Sequence, residues 1–512
     1  MRNEASRPRT LGALLDGFAS VEQGADVPVG ALRIDSRQIS EGDIFFALNG
    51  TREHGLVHAS GAMDRGAAAV IYELEGAPEI TDTRGVPHLG VAALGHRLGE
   101  IASRFLGDPS AELDVVGVTG TDGKTSTTYY LAQALSGWKA ESALLGTVGY
   151  GPWGALSAAS HTTPDPIRLQ GLLRAFADDG IRQVAMEVSS HALDQRRESG
   201  VHFHSAVLTN LSRDHLDYHG SVEAYARAKR RLFERRGLSQ AVLNADDALG
   251  EALIGELKGK VPTVAYSMND GGAAKSADRW VLAQDARLSE RGIQATVAGS
   301  WGSGLLNAGL LGRFNLANLL AALAVMLGMG MPMHEALGRL SRVSNAPGRM
   351  ERFGGGESPL IVVDYAHTPA ALVHALEALR EHCKGRLHCV FGCGGNRDSG
   401  KRALMGEAAE RLADRVTLTD DNPRDEDGKH IIADILMGTA RPHQVNVDRD
   451  RGSAIREAWD RARVGDIVLV AGKGHEDYQI VGTERLAFSD RSLARDLAGV
   501  NPDRDANAGA GS

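Results

Sequence analysis

Gly120-Thr121-Asp122-Gly123-Lys124-Thr125 is the stretch of this sequence with the most direct chemical meaning. Glycines let backbone N–H groups close around phosphate oxygens, and a helix starting there adds positive potential. In such a loop a lysine reaches the β- and γ-phosphates, and the hydroxyl of the next threonine ligates Mg2+. Lys124 and Thr125 stand in those places. The strict GxxxxGK[ST] spacing fails by one position: its first glycine would fall at Val118, and Gly117 sits one residue earlier. The departure points to a variant phosphate loop. A plain Gly-rich turn is the simpler alternative.

Other polar clusters follow apolar runs. After QVAM come Glu187, Ser189, Ser190 and His191, then Gln195 and Arg197. After AVLTNLS come Arg213, Asp214, His215, Asp217 and His219, and Lys229 lies on AYARAKRRLF. A carboxylate and an imidazole beside a phosphate loop suit a second Mg2+ site. Taken singly, each has a plainer role. Glu187 could cap or pair, His215 and His219 could sit on the surface, and Lys229 could belong to a solvated basic face. Ser189 and Ser190 could cap the next helix, and His161-Thr162-Thr163-Pro164 reads alone as a turn. Their shared position at strand ends favours chemistry.

A second set follows further on: Asp364-Tyr365-Ala366-His367, Gly394-Gly395-Asn396-Arg397-Asp398, Asp421-Asn422-Pro423-Arg424 and Gly472-Lys473-Gly474-His475-Glu476. Two arginines with Asp, Asn and Glu can hold both a carboxylate and an ammonium, which is what an amino-acid pocket requires. Loop salt bridges are the alternative.

The elements that must carry these residues are legible as apolar runs. ALRIDSRQI and GDIFFAL (31–48) and AAAVIYE (67–73) read as strands in an N-terminal region without a catalytic motif. From about Leu113 strands alternate with helices: DVVGVTG (114–120), SALLGTV (142–148), RQVAMEVSS (182–190), SAVLTNLS (205–212) and QAVLNADD (240–247). That texture predicts a parallel α/β sheet. Residues 270–310 read as hairpins or loops, and 311–327 as a helix with an entry turn. The α/β texture returns from near Asn345 in LIVVDYAHTP (360–369), LHCVFGCGG (387–395), RVTLTDDNP (415–423) and DIVLVAGKG (466–474). In open sheets of this kind ligands sit outside the carboxyl ends of strands. The expected division is 1–107, 108–344 and 345–500, with a disordered polar tail over 501–512.

Composition narrows the function. A 512-residue chain, 43% hydrophobic, can bury several cores without staples, which excludes wholesale disorder and a disulfide scaffold. Acidic residues exceed basic ones by nine, so the footprint of a duplex-binding protein is missing. Cys383, Cys389 and Cys393 form no CxxC pair for zinc, and Cys389 and Cys393 read as buried strand packing. The start MRNEASRPRTL lacks an apolar leader, and 317–331 reads as a buried helix, not a membrane span. The expected setting is the cytoplasm.

The set GTDGKTST, HTTPD, MEVSSHALDQRR, LTNLSRDHLDYHGS, FNLANLLAA, NAPGRMERF, VDYAHTP, FGCGGNRDSGKR, DNPR and AGKGHEDYQ resembles the Mur ligases, in order from about residue 30 to about 480. The shifted phosphate loop is that family's own pattern. The resemblance implies three domains: a smaller N-terminal α/β domain for the uridine end of the substrate, a central ATPase-like parallel sheet, and a Rossmann-like C-terminal domain bringing the amino acid. It implies that Ser36 contacts the UDP moiety and that Thr162, Thr163, Ser189, Gln195 and Arg197 hold a UDP-muramyl dipeptide. It places ATP against Gly120, Thr121, Asp122, Gly123, Lys124, Thr125 and Ser126, with Asn315, Arg349 and Asp364. It assigns Mg2+ to Thr125, Glu187 and His215, and implies a carbamylated Lys229 supporting a second ion. An unmodified ammonium there would be repelled by the metal ions. Arg397, Asp421, Asn422, Arg424, Gly472 and Glu476 match the family's diaminopimelate pocket.

The activity implied is ATP-driven amide formation through an acyl phosphate, with Lys124, Lys229, Glu187 and His215 as the catalytic group and domain closure for positioning. Small molecules are the expected partners, with no nucleic acid and no membrane span, and the chain is expected to act as a monomer. Arg424 favours diaminopimelate, whose second carboxylate lysine lacks. A lysine-adding ligase, a folylpolyglutamate synthetase, a P-loop ATPase with another task and an inactive nucleotide-binding scaffold are the competing readings. The second would lack the N-terminal domain and DNPR; the last would lose Lys124 or Glu187.

Overall fold

The computed structural model describes residues 8, 10–50, 52–159, 161–269 and 271–499. The tail expected over 501–512 lies outside them. The described residues form two compact units, one running to Ala265 with Ala273–Asp278, the other comprising Tyr266–Gly272 and everything from Arg279.

The first unit holds two sheets. A parallel sheet of Leu32–Arg33, Ile44–Ala47, Ala69–Glu73 and His88–Val91 occupies its N-terminal part. The strand expected over 31–39 is cut short. Asp35 accepts hydrogen bonds from the Arg37 backbone N–H (3.0 Å) and Arg37 Nε (2.9 Å), which winds Ser36–Gln38 into a 3₁₀ turn. Such a side-chain bond outcompetes strand pairing locally, and no periodicity signals it.

The larger sheet orders Gln240–Asn244, Phe203–Leu208, Asp114–Thr119, Gln183–Glu187, Ser142–Gly146 and Gly149–Pro152, parallel except for the last. Asp114–Thr119 lies between two parallel partners and is buried on both faces, hence its unbroken apolar run. In register, Val118 faces Glu187 on one side and Val207 on the other, so three strands end at one level. The helix Lys124–Leu135 leaves that edge, with Gly123 at φ 83° just before it.

In the second unit, Arg279–Ser289, Gly292–Gly299 and Gly302–Ala308 form an antiparallel meander where hairpins or loops were expected. Arg313–Gly328 follows as one helix, buried almost throughout. A six-stranded sheet then orders Glu351–Gly354, Leu360–Asp364, Ile467–Ala471, Leu387–Phe391, Arg415–Leu418 and Asn446–Val447, parallel except for the first. Cys389 and Cys393 are buried in its core. Among the described residues, no helix is long and apolar enough to cross a membrane.

Candidate active site

In the first unit the carboxyl edge of the large sheet assembles one polar cluster. Gly120 has φ 151°, and a Cβ there would overlap the Thr209 hydroxyl, so only glycine fits. The strand end 209–212 latches the loop. Asn210 O accepts from Thr121 N (2.9 Å), Asn210 Oδ1 from Asp122 N (2.9 Å), and Thr209 Oγ1 donates to Asp122 O (2.5 Å). Lys124 Nζ donates to the carbonyls of Gly120 (2.9 Å) and Thr121 (2.7 Å). Lys229 Nζ, fully buried, donates to the same Gly120 carbonyl at 2.6 Å and lies 4.3 Å from the Tyr225 ring. Burial, reinforced by the Lys124 charge, drives the Lys229 pKa down to about 6, so its amine is mostly neutral near pH 7.

Beside the loop, Thr125 Oγ1 donates to Glu187 Oε2 (2.9 Å), and Thr147 N to Glu187 Oε1 (2.7 Å). Hydroxyl and carboxylate are hard oxygen donors set side by side. This suits Mg2+, which takes one or two carboxylates and completes its shell with phosphate oxygens and water. Among the described residues no three His, Cys, Asp or Glu side chains cluster as a preformed metal site. His215 has φ 51° and is half exposed. Its ring packs 5.0 Å from His191 and 6.1 Å from Tyr225.

The residues matched to the muramyl dipeptide also meet. Thr163 Oγ1 donates to Glu187 O (2.9 Å) and accepts from Ser189 N (3.2 Å). Arg197 bonds Thr163 O (3.2 Å) and Gln195 Oε1 (2.8 Å), while the Thr162 and Thr147 hydroxyls lie 3.1 Å apart. Ser189 caps the helix Ser190–Asp194, accepting from Ala192 N, which is its plainer role. Ser36 stands apart on the N-terminal sheet, in its 3₁₀ turn.

The second unit brings together two groups at its own carboxyl edge. Asp364 Oδ2 accepts from Met350 N (2.7 Å) and Oδ1 from Ala366 N (2.9 Å). Full burial raises its pKa against the pull of Arg349. The Arg349 guanidinium lies 5.1 Å from the Tyr365 ring, and Asn315 reaches the same loop through Asn345 (3.4 Å), which in turn bonds Met350 O (2.8 Å). In the other group, Lys473 Nζ donates to Asn422 Oδ1 and Glu476 Oε2, both at 3.0 Å, and Asn422 Nδ2 donates to Glu476 Oε2 at 2.9 Å. Arg424, at φ 52°, donates through Nη1 to Gly395 O (2.8 Å) and through its backbone to Ile480 O (3.0 Å). Arg397 is exposed on the neighbouring loop.

Sequence reasoning missed Thr147, Thr209 and Asn210, although the last two lie in LTNLS. It also missed Lys473 as the buried tie between Asn422 and Glu476. Their partners are distant in the chain, so no local spacing marks them.

Three family models match in order: the Mur ligase family catalytic domain over 28–106, the Mur ligase middle domain over 118–326 and the Mur ligase glutamate ligase domain over 348–474. The chain is a Mur ligase. A UDP-N-acetylmuramoyl-L-alanyl-D-glutamate–2,6-diaminopimelate ligase of Pseudomonas aeruginosa is 49% identical to this Mur ligase over 91% of the chain and 94% of its own length. The protein of that name from Coxiella burnetii is 48% identical over 92% and 96%. Among solved structures, one of a UDP-N-acetylmuramoyl-L-alanyl-D-glutamate–2,6-diaminopimelate ligase superposes with TM-score 0.72 at 37% identity, covering 92% of this chain and 95% of that one. The three-domain α/β fold of the Mur ligases is therefore this chain's fold. The N-terminal match counts against the folylpolyglutamate synthetase reading, which lacks that domain.

Proposed function

We propose that this Mur ligase joins meso-2,6-diaminopimelate to the D-glutamate γ-carboxylate of UDP-N-acetylmuramoyl-L-alanyl-D-glutamate, with ATP converted to ADP and phosphate, in peptidoglycan precursor synthesis. The observation that carries this reading is near-50% identity over nine-tenths of the chain to ligases bearing that name. The substrate carboxylate attacks the γ-phosphorus of ATP and ADP leaves. The amine of diaminopimelate then attacks the acyl phosphate carbonyl, and phosphate departs as the amide forms. The proposed domains are 1–107, 108–344 and 345–500, acting as a monomer in the cytoplasm.

The family resemblance supplies the roles of the chain's own residues, and their chemistry suits those roles. The N–H groups of residues 120–126 and Lys124 bind the triphosphate, with Lys124 leaving its backbone carbonyls for phosphate oxygens. Thr162, Thr163, Ser189, Gln195 and Arg197 hold the dipeptide, and Ser36 the uridine end. Asn315, Arg349 and Asp364 bind the nucleotide, while Arg397, Asp421, Asn422, Arg424, Gly472 and Glu476 receive the amino acid. Thr125 and Glu187, with His215, would hold Mg2+, which when bound neutralises charge on the transferring phosphoryl group. Lys229 would react with CO2 as a neutral amine, forming the N–C bond of a carbamate and releasing a proton. Its low pKa supports this step, because an ammonium cannot attack CO2.

The test is phosphate release with UDP-muramyl dipeptide and ATP, comparing meso-diaminopimelate, lysine and no amine. The reading predicts release that depends on diaminopimelate. Equal release with lysine would transfer the assignment to the lysine-adding ligase.

A further inference from the structure

Below the Asn422 loop lies an ion pair that none of the roles above uses. Arg451 opens the helix Arg451–Arg461, and its side chain is fully buried. Its Nε and Nη2 each lie 2.7 Å from an oxygen of Asp490, itself fully buried, and Nη2 also donates to Ala471 O at 3.0 Å. Nη1 is buried with no hydrogen-bond partner. Ala471 precedes Gly472, where a Cβ would stand only 2.5 Å from Asp421 Oδ2. The guanidinium thus sits one residue along the backbone from the place where the Asp421 carboxylate rests.

The charges that act most strongly on Asp421 are Arg451 and Lys473, which favour its carboxylate, and Glu476 and Asp490, which oppose it. Lys473 is occupied by Asn422 and Glu476. Arg451 is the cation that still has an unspent donor, and Asp490 holds it in place. Burial pushes the Asp421 pKa up, toward the neutral acid, and a neutral acid cannot form an ion pair with an ammonium.

We infer that Arg451, locked by Asp490, is a positioning residue that keeps the buried Asp421 carboxylate negative so that it can receive the ammonium of the incoming amino acid. This rests on the assignment of Asp421 to the amino-acid pocket. Burial raises the Asp421 pKa, and Arg451 is the strongest group opposing that rise.

The experiment uses the full-length enzyme and reads kcat/KM for meso-diaminopimelate against pH, with KM for ATP measured alongside. Arg451→Met removes the positive charge and should move the acid limb of the profile to higher pH by about one unit. Asp490→Asn breaks the same ion pair but leaves the arginine, and should move that limb to lower pH. General damage to the fold would push both variants the same way. Opposite shifts with little change in KM for ATP support the proposal; shifts of one sign, or none, overturn it. If Arg451→Met does not fold, Arg451→Gln takes its place, and a limb that stays put or falls overturns the idea. If the wild-type enzyme proves to use another amino acid, the profiles are read with that substrate. The substrate assignment then fails separately from the role of Arg451.

Discussion

Lys124 and Lys229, 105 positions apart in the chain, both donate to the carbonyl oxygen of Gly120, at 2.9 and 2.6 Å. The first opens the helix behind the phosphate loop; the second lies near the end of Val222–Arg230. Two ammonium groups cannot share one carbonyl cheaply in a buried place, and Lys229 is the one that burial discharges. One lysine is left as the fixed charge, and the other as a neutral amine.

Lys124→Ala should abolish ATP-dependent ligation, because no other side chain can follow the transferring phosphoryl group from that position. Phosphate release and product formation should both fall by at least about a thousandfold. Retained turnover would contradict the phosphate-loop assignment.

Lys229→Ala should be inactive yet regain part of its activity with a short carboxylic acid, which can occupy the space of the carbamate. The assay is ligation rate against added acetate or formate. An undiminished variant that gains nothing from either acid would remove the carbamate from the mechanism.

Stability gives a second reading of the same residue. The unfolded lysine titrates near 10.5 and the folded one near 6. Between those values the unfolded chain binds a proton that the folded chain does not. The cost of burial therefore grows as pH falls from about 10.5, and levels off below about 6. Lys229→Met should stabilise the protein by about 2 kcal/mol at neutral pH and by much less above pH 10.5. Urea unfolding in CO2-free buffer at the two pH values checks it; an equal gain at both would mean the amine is not discharged by folding.

Asn210→Ala removes the Oδ1 acceptor for Asp122 N and the Nδ2 donor to Asp122 O, while the backbone bond from Thr121 remains. The loop loses part of its latch, not its anchor. KM for ATP should rise about tenfold, with KM for diaminopimelate within about twofold of the parent. Steady-state kinetics separate the two, and a change confined to the amino acid would mean the latch is irrelevant to nucleotide binding.

Arg424→Ala should raise KM for diaminopimelate by about 2 kcal/mol, near thirtyfold, because a carboxylate would lose its bidentate partner. KM for ATP should hardly move. Equal effects on both would show that Arg424 only braces the Gly395 loop.

Much of this was readable in the chain itself, for a physical reason. Strand runs such as DVVGVTG and LIVVD are set by local apolar pattern, the phosphate loop by glycines at fixed offsets, and the Ser189 cap by residue type. These signals act over a few residues, so a linear reading captures them. Periodicity overran Asp35, where a two-residue side-chain bond ended the strand.

Tertiary structure alone decided the rest. Lys229 reads as one member of a basic run, and only packing against Gly120 and Tyr225 makes it buried and neutral. Thr147 meets Glu187 across 40 positions and Asn210 meets Asp122 across 88, through a strand order the chain does not spell out. Arg451 and Asp490 look like two more surface charges until the sheet and its helices bury both. Which polar groups lose water depends on which strands pair. That choice is made by the whole molecule, not by any one segment.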